Sequence, residues 1–363
     1  MLLIEDNFVP QSINMDNLIE LMEKVFREEA EGKAANAPRL RYRLPKEESE
    51  RVFMSNIICG ASEGLGVAAV RYDATVMHEY TYSGGTKRTD FEYSAGRSWG
   101  FVILSSLKTG EPLSIIHDFS LSPIRVAATT AIAIRKLSRT NSKIVGLFGS
   151  GNEAKRNIEA ICKVREVDEV RVYSPNLSHR EKFSKQMTEE MGLPFLPVDN
   201  PESVVKGSDI IMCATNSSEP VFNGDLLEEG QTVATIGASD VVHKRREADD
   251  TTFMRSRRLV LNSYQTAVTN RQSEITDLID SGKIRREDVH DLGDVLIGKS
   301  EGRKNDREIV YYNSNAGVGI QFAATCYQIF QACKKNGTGR EIPTEWFGAD
   351  VSEWTEKGYS PSP

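Results

Sequence analysis

The chain has 363 residues, of which 39% are hydrophobic and 27% charged, and its formal net charge at pH 7 is −7. This composition is that of an ordinary globular protein, and the length predicts two domains, because one domain commonly holds roughly 100–200 residues. The acidic balance argues against nonspecific nucleic-acid binding, which requires a basic surface.

The sequence predicts neither a membrane segment nor a metal site. No apolar run approaches the roughly 18 residues of a membrane span, and the first residues lack the basic and apolar segments of a signal peptide. The five cysteines and five histidines are dispersed without metal-ligand spacing. An odd number of scattered cysteines is typical of reduced thiols, so we expect a cytoplasmic protein.

The first third of the chain predicts one helix followed by an antiparallel meander. Residues 14–32 carry apolar side chains at helical spacing, with Asp16 as the candidate cap. Residues 38–45 form a short basic segment typical of extended chain. Three strand patterns follow, at residues 66–72, 99–104 and 112–117. Turn signals at residues 83–85 and 108–110 separate them.

The remainder alternates between strands and helices, which predicts an α/β fold with a doubly wound parallel sheet. A helix of small residues at 125–135 leads into a buried strand at 143–148. Further strands are expected at residues 169–173, 195–198, 209–214, 232–236 and 258–262. An apolar helix at 318–333 is expected to return to the first domain, and the tail beyond Thr338 to be loosely held.

A glycine-rich loop joins the strand at 143–148 to the next helix. Its residues are Gly149, Ser150, Gly151, Asn152, Glu153 and Ala154. In this context Gly149 allows a tight turn, Gly151 lets the backbone approach a pyrophosphate, and Ala154 lets helix and strand pack closely. The unpaired N–H groups of the helix start attract the anion. A purely structural turn is the alternative, but the flanking strand and helix favour dinucleotide binding.

The end of the following strand bears on which dinucleotide is bound. Enzymes that use NAD usually place Asp or Glu there to hold the ribose hydroxyls. Here the strand ends at Tyr173 and is followed by Ser174, Asn176 and Arg180, which offer hydroxyl, amide and guanidinium groups to a 2′-phosphate. The sequence therefore favours NADP(H), with NAD(H) as the alternative. The same residues also suit a turn and helix cap.

Several motifs recur along the chain in a recognisable order. Arg41 is followed by Met54, and six longer segments follow. They begin at Thr109, Arg125, Gly149, Ser208, Ile236 and Asn313. In order and spacing this set resembles the ornithine cyclodeaminase/μ-crystallin family of NAD(P)-dependent enzymes, over roughly residues 35–335.

The resemblance implies a two-domain homodimer. A substrate-binding and dimerisation domain would comprise residues 1–126 and 318–363, around a Rossmann domain at residues 127–317. It also implies hydride transfer at the α-carbon of a small amino-acid or imine substrate. The family includes cyclodeaminases, imine reductases and amino-acid dehydrogenases, so its name spans lyases and oxidoreductases.

Two arginines match the family's ligands for the substrate carboxylate, Arg41 and Arg125. A planar guanidinium pairs with both oxygens of a carboxylate and so can fix the α-carbon over a nicotinamide. For Arg41 the alternatives are a solvated charge or a register slip onto Arg39 or Arg43. Arg125 is the firmer assignment, because it opens a helix of small residues.

The family's proton-handling aspartate corresponds to Asp240. It follows a predicted strand, near the carboxyl edge of the sheet where ligands bind, and a carboxylate there can exchange a proton with a substrate amine. The alternative is a helix N-cap. This chain also carries extra residues between Gly237 and Glu247, which leaves the exact placement of Asp240 open.

One departure from the family affects the reaction. The lysine of cyclodeaminases falls near Ala68 here, and Arg71 is the nearby basic residue. Because arginine is essentially never deprotonated, it does not simply replace a lysine. We count Arg71 as a candidate substrate contact, with an exposed strand arginine as the alternative.

The resemblance also places residues around the cofactor. Ala214, Thr215 and Asn216 would close over it, and Ser314 with Asn315 would lie at the nicotinamide edge. The family's acidic residue in the last helix is replaced around Gln321, and Glu274 matches a structural glutamate.

The sequence thus predicts an NAD(P)-dependent imine reductase or amino-acid dehydrogenase. Three alternatives remain: ornithine cyclodeaminase itself, a non-catalytic NADPH-binding protein, or a subunit of a larger complex. The missing lysine argues against the cyclodeaminase.

Overall fold

Two β-sheets with a buried helix between them organise the chain. The computed structural model describes residues 1–45, 51–81, 87–92, 96–239, 245–315 and 317–352. The first sheet comes almost entirely from residues before 118, and the second from residues after 143.

Within the described ranges the first sheet has nine strands. They are β1 (Leu2–Ile4), β2 (Ala34–Asn36), β3 (Leu40–Pro45), β4 (Arg51–Ser62), β5 (Val67–Thr81), β6 (Lys87–Glu92), β7 (Trp99–Ser106), β8 (Pro112–His117) and β17 (Arg340–Glu341). Their order is β17-β1-β8-β7-β5-β4-β2, with β3 added to β4 and β6 to β5. The long strands pair antiparallel in chain order, so the predicted meander is confirmed. The turn expected at residues 83–85 falls outside the described residues.

In the part of the chain that the structure describes, the second sheet has eight strands, and all of them are parallel. They are β9 (Ile144–Phe148), β10 (Glu169–Tyr173), β11 (Phe195–Pro197), β12 (Ile210–Cys213), β13 (Thr232–Thr235), β14 (Arg258–Leu261), β15 (Val289–Asp291) and β16 (Val310–Asn313). Their order is β11-β10-β9-β12-β13-β16-β14-β15. The chain reverses direction across the sheet between β9 and β12, which is where a doubly wound fold binds its ligand. The predicted α/β class is confirmed.

Ten α-helices surround or separate the described strands. They are α1 (Met15–Ala30), α2 (Leu121–Leu137), α3 (Asn152–Ile161), α4 (Leu177–Met191), α5 (Pro201–Val205), α6 (Asp250–Arg255), α7 (Tyr264–Thr269), α8 (Ser273–Asp280), α9 (Leu292–Leu296) and α10 (Gly319–Asn336). Helix α2 is buried on nearly all sides, because it packs against α1, α3, α10 and β13. Its small residues permit that close packing, and its position links the two sheets. Within the described residues no helix has the length and apolar character to cross a membrane.

Two local expectations differ from the structure. The side chain of Asn14, and not Asp16, caps α1 by accepting a hydrogen bond from the Asn17 N–H; Asp16 lies inside the first turn. The tail beyond Thr338 is partly ordered, since β17 pairs antiparallel with β1. The domain boundaries at residues 126/127 and 317/318 stay predictions.

Candidate active site

The loop after β9 has the backbone geometry of a phosphate cradle. Gly149 has φ +115°, a conformation that side chains disfavour, and a Cβ there would overlap the carbonyl oxygen of Ala214 at the end of β12. Ala154 is fully buried beneath the loop, which keeps α3 close to the sheet. The roles predicted for the turn and for the third small residue match this geometry.

Gly151 leaves the approach to α3 open. It is the N-cap of the helix, and among the described residues no heavy atom other than those of Gly151 and its two chain neighbours lies within 4 Å of the position that its Cβ would take. Asn152, the first helical residue, is exposed. A pyrophosphate can therefore approach the unpaired N–H groups of the first turn directly, so the residues present fit a dinucleotide.

The residues after β10 form the expected adenosine end of the site. The hydroxyl oxygens of Ser150 and Ser174 lie 3.0 Å apart. The Asn176 side chain caps α4 by accepting a hydrogen bond from the His179 N–H at 3.0 Å. The side chain of Asn176 therefore acts as a helix cap, which was the alternative to a cofactor contact.

Arg180 is buried next to this strand end. Its guanidinium lies over the Tyr173 ring, 5.2 Å from the centroid, and donates to the Ser174 carbonyl at 3.3 Å. It also lies 3.4 Å from a carboxylate oxygen of Asp199, which is almost fully exposed. The side chain is thereby held at the place where a ribose 2′-substituent is expected.

A buried glutamate, missed in the sequence, ties the ends of β12 and β13 together. Glu247 accepts hydrogen bonds from the Thr215 N–H at 2.6 Å and hydroxyl at 2.8 Å. It accepts two more from the N–H groups of Ile236 at 2.9 Å and Gly237 at 2.6 Å. Burial raises the pKa of Glu247 to about 7, although these four bonds oppose the shift. Thr215 is therefore engaged by the protein, while Asn216 beside it is exposed.

The end of β16 is equally well fixed. Ser314 is buried, its N–H donates to the Thr235 carbonyl at 2.9 Å, and its hydroxyl accepts from the Asn262 amide at 3.2 Å. Asn315 donates to the Gln272 side chain at 3.0 Å. These contacts hold both residues at the carboxyl edge of the parallel sheet.

Asp240 lies outside the described residues, so its side chain is not placed. The neighbouring Ser239 is buried, and its N–H donates to the Glu274 carboxylate at 2.8 Å. Glu274 thus anchors the residue that precedes Asp240 in the chain.

A row of hydrogen-bonded side chains crosses the first sheet toward Arg41. The Arg41 Nε donates to Asn56 Oδ1 at 2.5 Å, and Asn56 Nδ2 donates to Asp73 Oδ2 at 3.0 Å. Arg71 pairs with Asp73 at 2.6 Å and with Asp118 at 2.5 Å. With only 14% of its side chain exposed, Arg71 is not the exposed strand arginine that was the alternative.

Ala68 contributes nothing to this row. Side chains alternate between the faces of a strand, so Ala68 lies on the opposite face of β5 from Arg71. The position assigned to the family's lysine therefore supplies no basic group to the site.

Arg125 is buried at the start of α2. Its Nη1 donates to the Gln321 side chain at 2.8 Å, and its Nη2 lies 3.4 Å from the Ser122 hydroxyl. The guanidinium stacks over the Phe322 ring, 4.5 Å from the centroid. A Cβ on Gly317 would lie 3.1 Å from it. Gln321, which replaces the family's acid, is thus a direct partner of Arg125.

Five arginines converge in this region: Arg39, Arg41, Arg71, Arg125 and Arg245. Burial and the neighbouring guanidinium groups lower the pKa of Arg39 and of Arg125 to about 10, and that of Arg41 to about 9. Arg245, missed in the sequence, comes from the loop after β13 and faces Arg39 and Arg41. A cluster of buried like charges is an anion-binding environment.

The glycine loop adjoins this cluster through Glu153. Its carboxyl group interacts with Arg125 and Arg245, and burial raises its pKa. One of its oxygens, Oε2, is buried without a hydrogen-bond partner in the part of the chain that the structure describes. The predicted nucleotide loop and Arg125, one of the two predicted carboxylate ligands, are therefore neighbours in space.

Comparison with known proteins agrees with this architecture. The model of the ornithine cyclodeaminase/mu-crystallin family matches residues 2–337. The Delta(1)-pyrroline-2-carboxylate reductase of Bacillus cereus is 26% identical over 343 residues, which cover 94% of this chain and 99% of that protein.

Two solved structures have the same fold. The Delta(1)-pyrroline-2-carboxylate reductase of Thermococcus litoralis, in complex with NADH and L-proline, has a TM-score of 0.80 at 25% identity and covers 94% of this chain and 100% of its own. An archaeal alanine dehydrogenase dimer with bound NAD has a TM-score of 0.78 at 24% identity, with coverage of 94% and 99%.

A family match over nearly the whole chain, a phosphate cradle and an adjoining arginine cluster lead to one conclusion. The chain belongs to the ornithine cyclodeaminase/mu-crystallin family and is an NAD(P)-dependent reductase or dehydrogenase of that family.

Proposed function

We propose that the enzyme interconverts an α-imino acid and the corresponding amino acid, and that Arg41 and Arg125 hold the substrate carboxylate. The observation that carries this proposal is the arginine cluster: Arg39 interacts with both Arg41 and Arg125, and Arg125 interacts with Glu153 at the start of α3. A carboxylate bound there would relieve the mutual repulsion of the guanidinium groups and accept charge-assisted hydrogen bonds.

The residues divide the work between binding and proton handling. Bound NAD(P)H supplies the hydride that reaches the α-carbon. The glycine loop and the first turn of α3 hold the pyrophosphate, and the arginines orient the carboxylate so that the C=N carbon faces the nicotinamide. A proton must reach the substrate nitrogen as the C=N bond is reduced, and Asp240 is the proposed donor, by its resemblance to the family's aspartate.

A cyclic ketimine is the first substrate to test. Two relatives are named for pyrroline-2-carboxylate reduction. Ornithine cyclisation is the weaker candidate, because Arg71 is committed to Asp73 and Asp118 and Ala68 faces away from the cluster.

For the cofactor we propose a preference for NADP(H). Arg180 and Ser174 lie together at the end of β10, and a 2′-phosphate would replace the weak 3.4 Å contact between Arg180 and the exposed Asp199. A phosphate offers more acceptor oxygens and more charge than that carboxylate. NAD(H) stays the alternative, as it is the cofactor bound in the two solved relatives.

We also propose that the enzyme is a homodimer that uses one face of the first sheet. Helix α10 covers the other face of β4 and β5. On the face turned away from α10, exposed apolar side chains lie on β3 and β7; they are Leu40, Tyr42, Leu44, Trp99 and Phe101. An exposed apolar sheet face of this kind marks an interaction site.

A cytoplasmic location is proposed on the state of the thiols. All five cysteines are unpaired in the structure, and unpaired thiols are typical of reducing compartments.

Oxidation of NADPH and of NADH should be measured with pyrroline-2-carboxylate, with piperideine-2-carboxylate and with pyruvate plus ammonia. Imine-dependent oxidation that is lost in Arg125→Met but kept in Arg135→Met would support the proposal, since Arg135 lies on the same helix but pairs with Glu20 and Glu23 of α1. Conversion of ornithine to proline without net cofactor change would instead establish a cyclodeaminase. Cofactor binding without either activity would favour the non-catalytic alternative.

A further inference from the structure

The side chains of the hydrogen-bonded row across the first sheet are aligned more regularly than ion pairing alone requires. Arg41 and Asn56 are direct cross-strand partners of β3 and β4, and Asn56 and Asp73 are direct partners of β4 and β5. The sheet register therefore lines up three side chains on one face. A rigid sheet holds such groups more closely than loops do.

Arg71 extends the row to the start of α2. It pairs with Asp73 on its own strand and with Asp118, which follows β8. Its guanidinium also lies 5.4 Å from the centre of the Phe322 ring, on which Arg125 stacks. Arg41 is thus a member of the row, and Arg125 approaches its Arg71 end across the Phe322 ring.

Gly100 makes room for the last member of the row. Asp73 and Gly100 are cross-strand partners of β5 and β7, and the Asp118 N–H donates to the Gly100 carbonyl at 3.2 Å. A Cβ on Gly100 would overlap the Asp118 carboxylate and lie 3.1 Å from the Asp73 Cβ. The glycine is required here by close approach, because any larger residue would displace Asp118.

The buried polar members of the row are costly for folding. Asn56 is 4% exposed and Asp118 is 3% exposed, on a sheet face that otherwise packs apolar side chains against α10. Apolar residues of similar volume often stabilise a core at least as well as a buried ion pair does. Stability alone therefore does not account for the row.

Resting on the proposed function, we propose that Asn56, Asp73 and Asp118 are positioning residues that, linked by Arg71, aim the Arg41 guanidinium at the substrate carboxylate. Asp118 anchors Arg71, Arg71 and Asn56 fix Asp73, and Asn56 fixes Arg41. Loss of the anchor at Asp118 therefore reaches Arg41 through three side chains, without a change in any group that contacts the substrate.

Steady-state kinetics of the cofactor-loaded enzyme test this inference with two independent variants. Asp118→Asn removes the anchoring charge, and Gly100→Ala displaces the same carboxylate sterically. For each we expect KM for the imino acid to rise roughly tenfold, kcat to change less than about twofold, and the cofactor Kd to stay constant. Combining both changes should add little to either one, because they act through the same carboxylate. Asp288→Asn, which breaks the surface pair with Arg285, is the control and should leave KM unchanged.

Two outcomes would overturn the positioning role. A wild-type KM in both variants, with only the thermal stability reduced, would make the row purely structural. Crystal structures of both variants with Arg41 and Arg71 unmoved would also overturn it, and that readout needs no turnover. Failure of the wild-type enzyme to reduce any imino acid would count against the proposed function instead, so the two failures are distinguishable.

Discussion

Arg180 is the residue at which a single charge should decide between the two nicotinamide cofactors. It is buried, stacked on Tyr173, and held by the Ser174 carbonyl, so its guanidinium has little freedom to move. A preorganised guanidinium loses little entropy when it binds a phosphate.

Arg180→Glu is therefore expected to weaken NADPH binding much more than NADH binding. Loss of a charge-assisted contact and gain of a like charge should cost about 3 kcal/mol for NADPH, roughly 100-fold in Kd. Titrations of both cofactors, followed by fluorescence, measure the ratio. Lys182→Glu makes the same charge change on the exposed side of α4 and should affect the two cofactors equally. A similar loss for both cofactors in Arg180→Glu would refute a role in 2′-phosphate recognition.

The residues that were predicted from the sequence carry a signal in their own neighbourhood of the chain. The residues that were missed have partners far along the chain. Arg125 stands out locally, because a charged residue at the start of a helix of small residues needs a reason. Arg245 and Glu247 have no such local signal. They matter because the loop after β13 folds back onto Arg41 and Thr215, and no short-range pattern encodes that approach.

At the scale of elements, the two glycines of the loop between β9 and α3 meet different requirements, one for folding and one for ligand binding. Gly149 is needed for the fold, since its φ is +115° and its Cβ would meet backbone. Gly151 is needed for the ligand, since the space beside it is open among the described residues.

The two alanine variants should consequently behave in opposite ways. Gly149→Ala should lower the free energy of unfolding by about 2–4 kcal/mol, from left-handed strain and steric overlap. Gly151→Ala should leave that free energy within about 0.5 kcal/mol of wild type and weaken cofactor binding roughly tenfold, about 1.4 kcal/mol. Urea unfolding and cofactor titration on both variants check this. Equal stability of the two would show that the turn tolerates a Cβ at either position.

The six parallel strands β9 to β14 were predicted to within one residue at either end, whereas β15 and β16, and β4 of the first sheet, were not predicted. Buried parallel strands are continuous apolar runs bounded by turns, which the segments at β9, β12 and β13 display. In β4, by contrast, Ser55 and Asn56 occupy buried positions, so apolar alternation fails where the strand serves the site. The polar residues at the site therefore interrupt the apolar alternation on which strand prediction depends.

Glu29 connects α1 to three other elements and should make stability depend on pH. It lies in α1, accepts a hydrogen bond from Asn36 of β2, and interacts with Asp291 and Asp294 at β15 and α9. Asn36 in turn accepts from the Ile320 N–H of α10 at 2.9 Å. Burial, then the two aspartates, raise the pKa of Glu29 from 4.5 to about 7.

The sign of the pH effect on stability follows from which state, native or unfolded, keeps the proton of the Glu29 carboxyl group. Between pH 4.5 and about 7 the unfolded chain releases a proton that the native Glu29 retains, so this group's contribution falls as the pH rises and is fully lost above the native pKa. Glu29→Gln should remove that loss. The stability of the variant relative to wild type is expected to rise between pH 5 and pH 8 by up to about 3 kcal/mol. Urea unfolding at both pH values measures it, and a pH-independent difference would show that Glu29 does not titrate in this range.

For the whole molecule, the exposed face of the first sheet indicates how two copies are expected to associate. One face of β4 and β5 packs against α10 and joins the core, whereas the other presents exposed aromatic and aliphatic side chains. Trp99 is 60% exposed and Leu44 is 62% exposed. Water contact with such a surface is unfavourable by roughly 25 cal/mol per Å² of apolar area, and a second copy of the same sheet is the self-complementary partner that twofold symmetry provides.

A charge placed at the centre of that face should therefore dissociate the dimer. Trp99→Glu combined with Phe101→Lys is expected to convert the protein to monomer at micromolar concentration, as measured by light scattering after size exclusion. The variants should keep the unfolding cooperativity of the wild type, because both side chains point away from the core. Trp346→Glu changes an equally exposed tryptophan, at 74%, outside the sheet and should leave the mass of the dimer unchanged. A wild-type protein that is monomeric at the same concentration would refute the assembly, and a dimer that survives the paired charges would place its interface elsewhere.

Dissociation is also expected to raise KM for the imino acid. Arg41 extends from β3, whose opposite side carries Leu40, Tyr42 and Leu44. In the monomer this strand would lose the partner that holds it flat against β4.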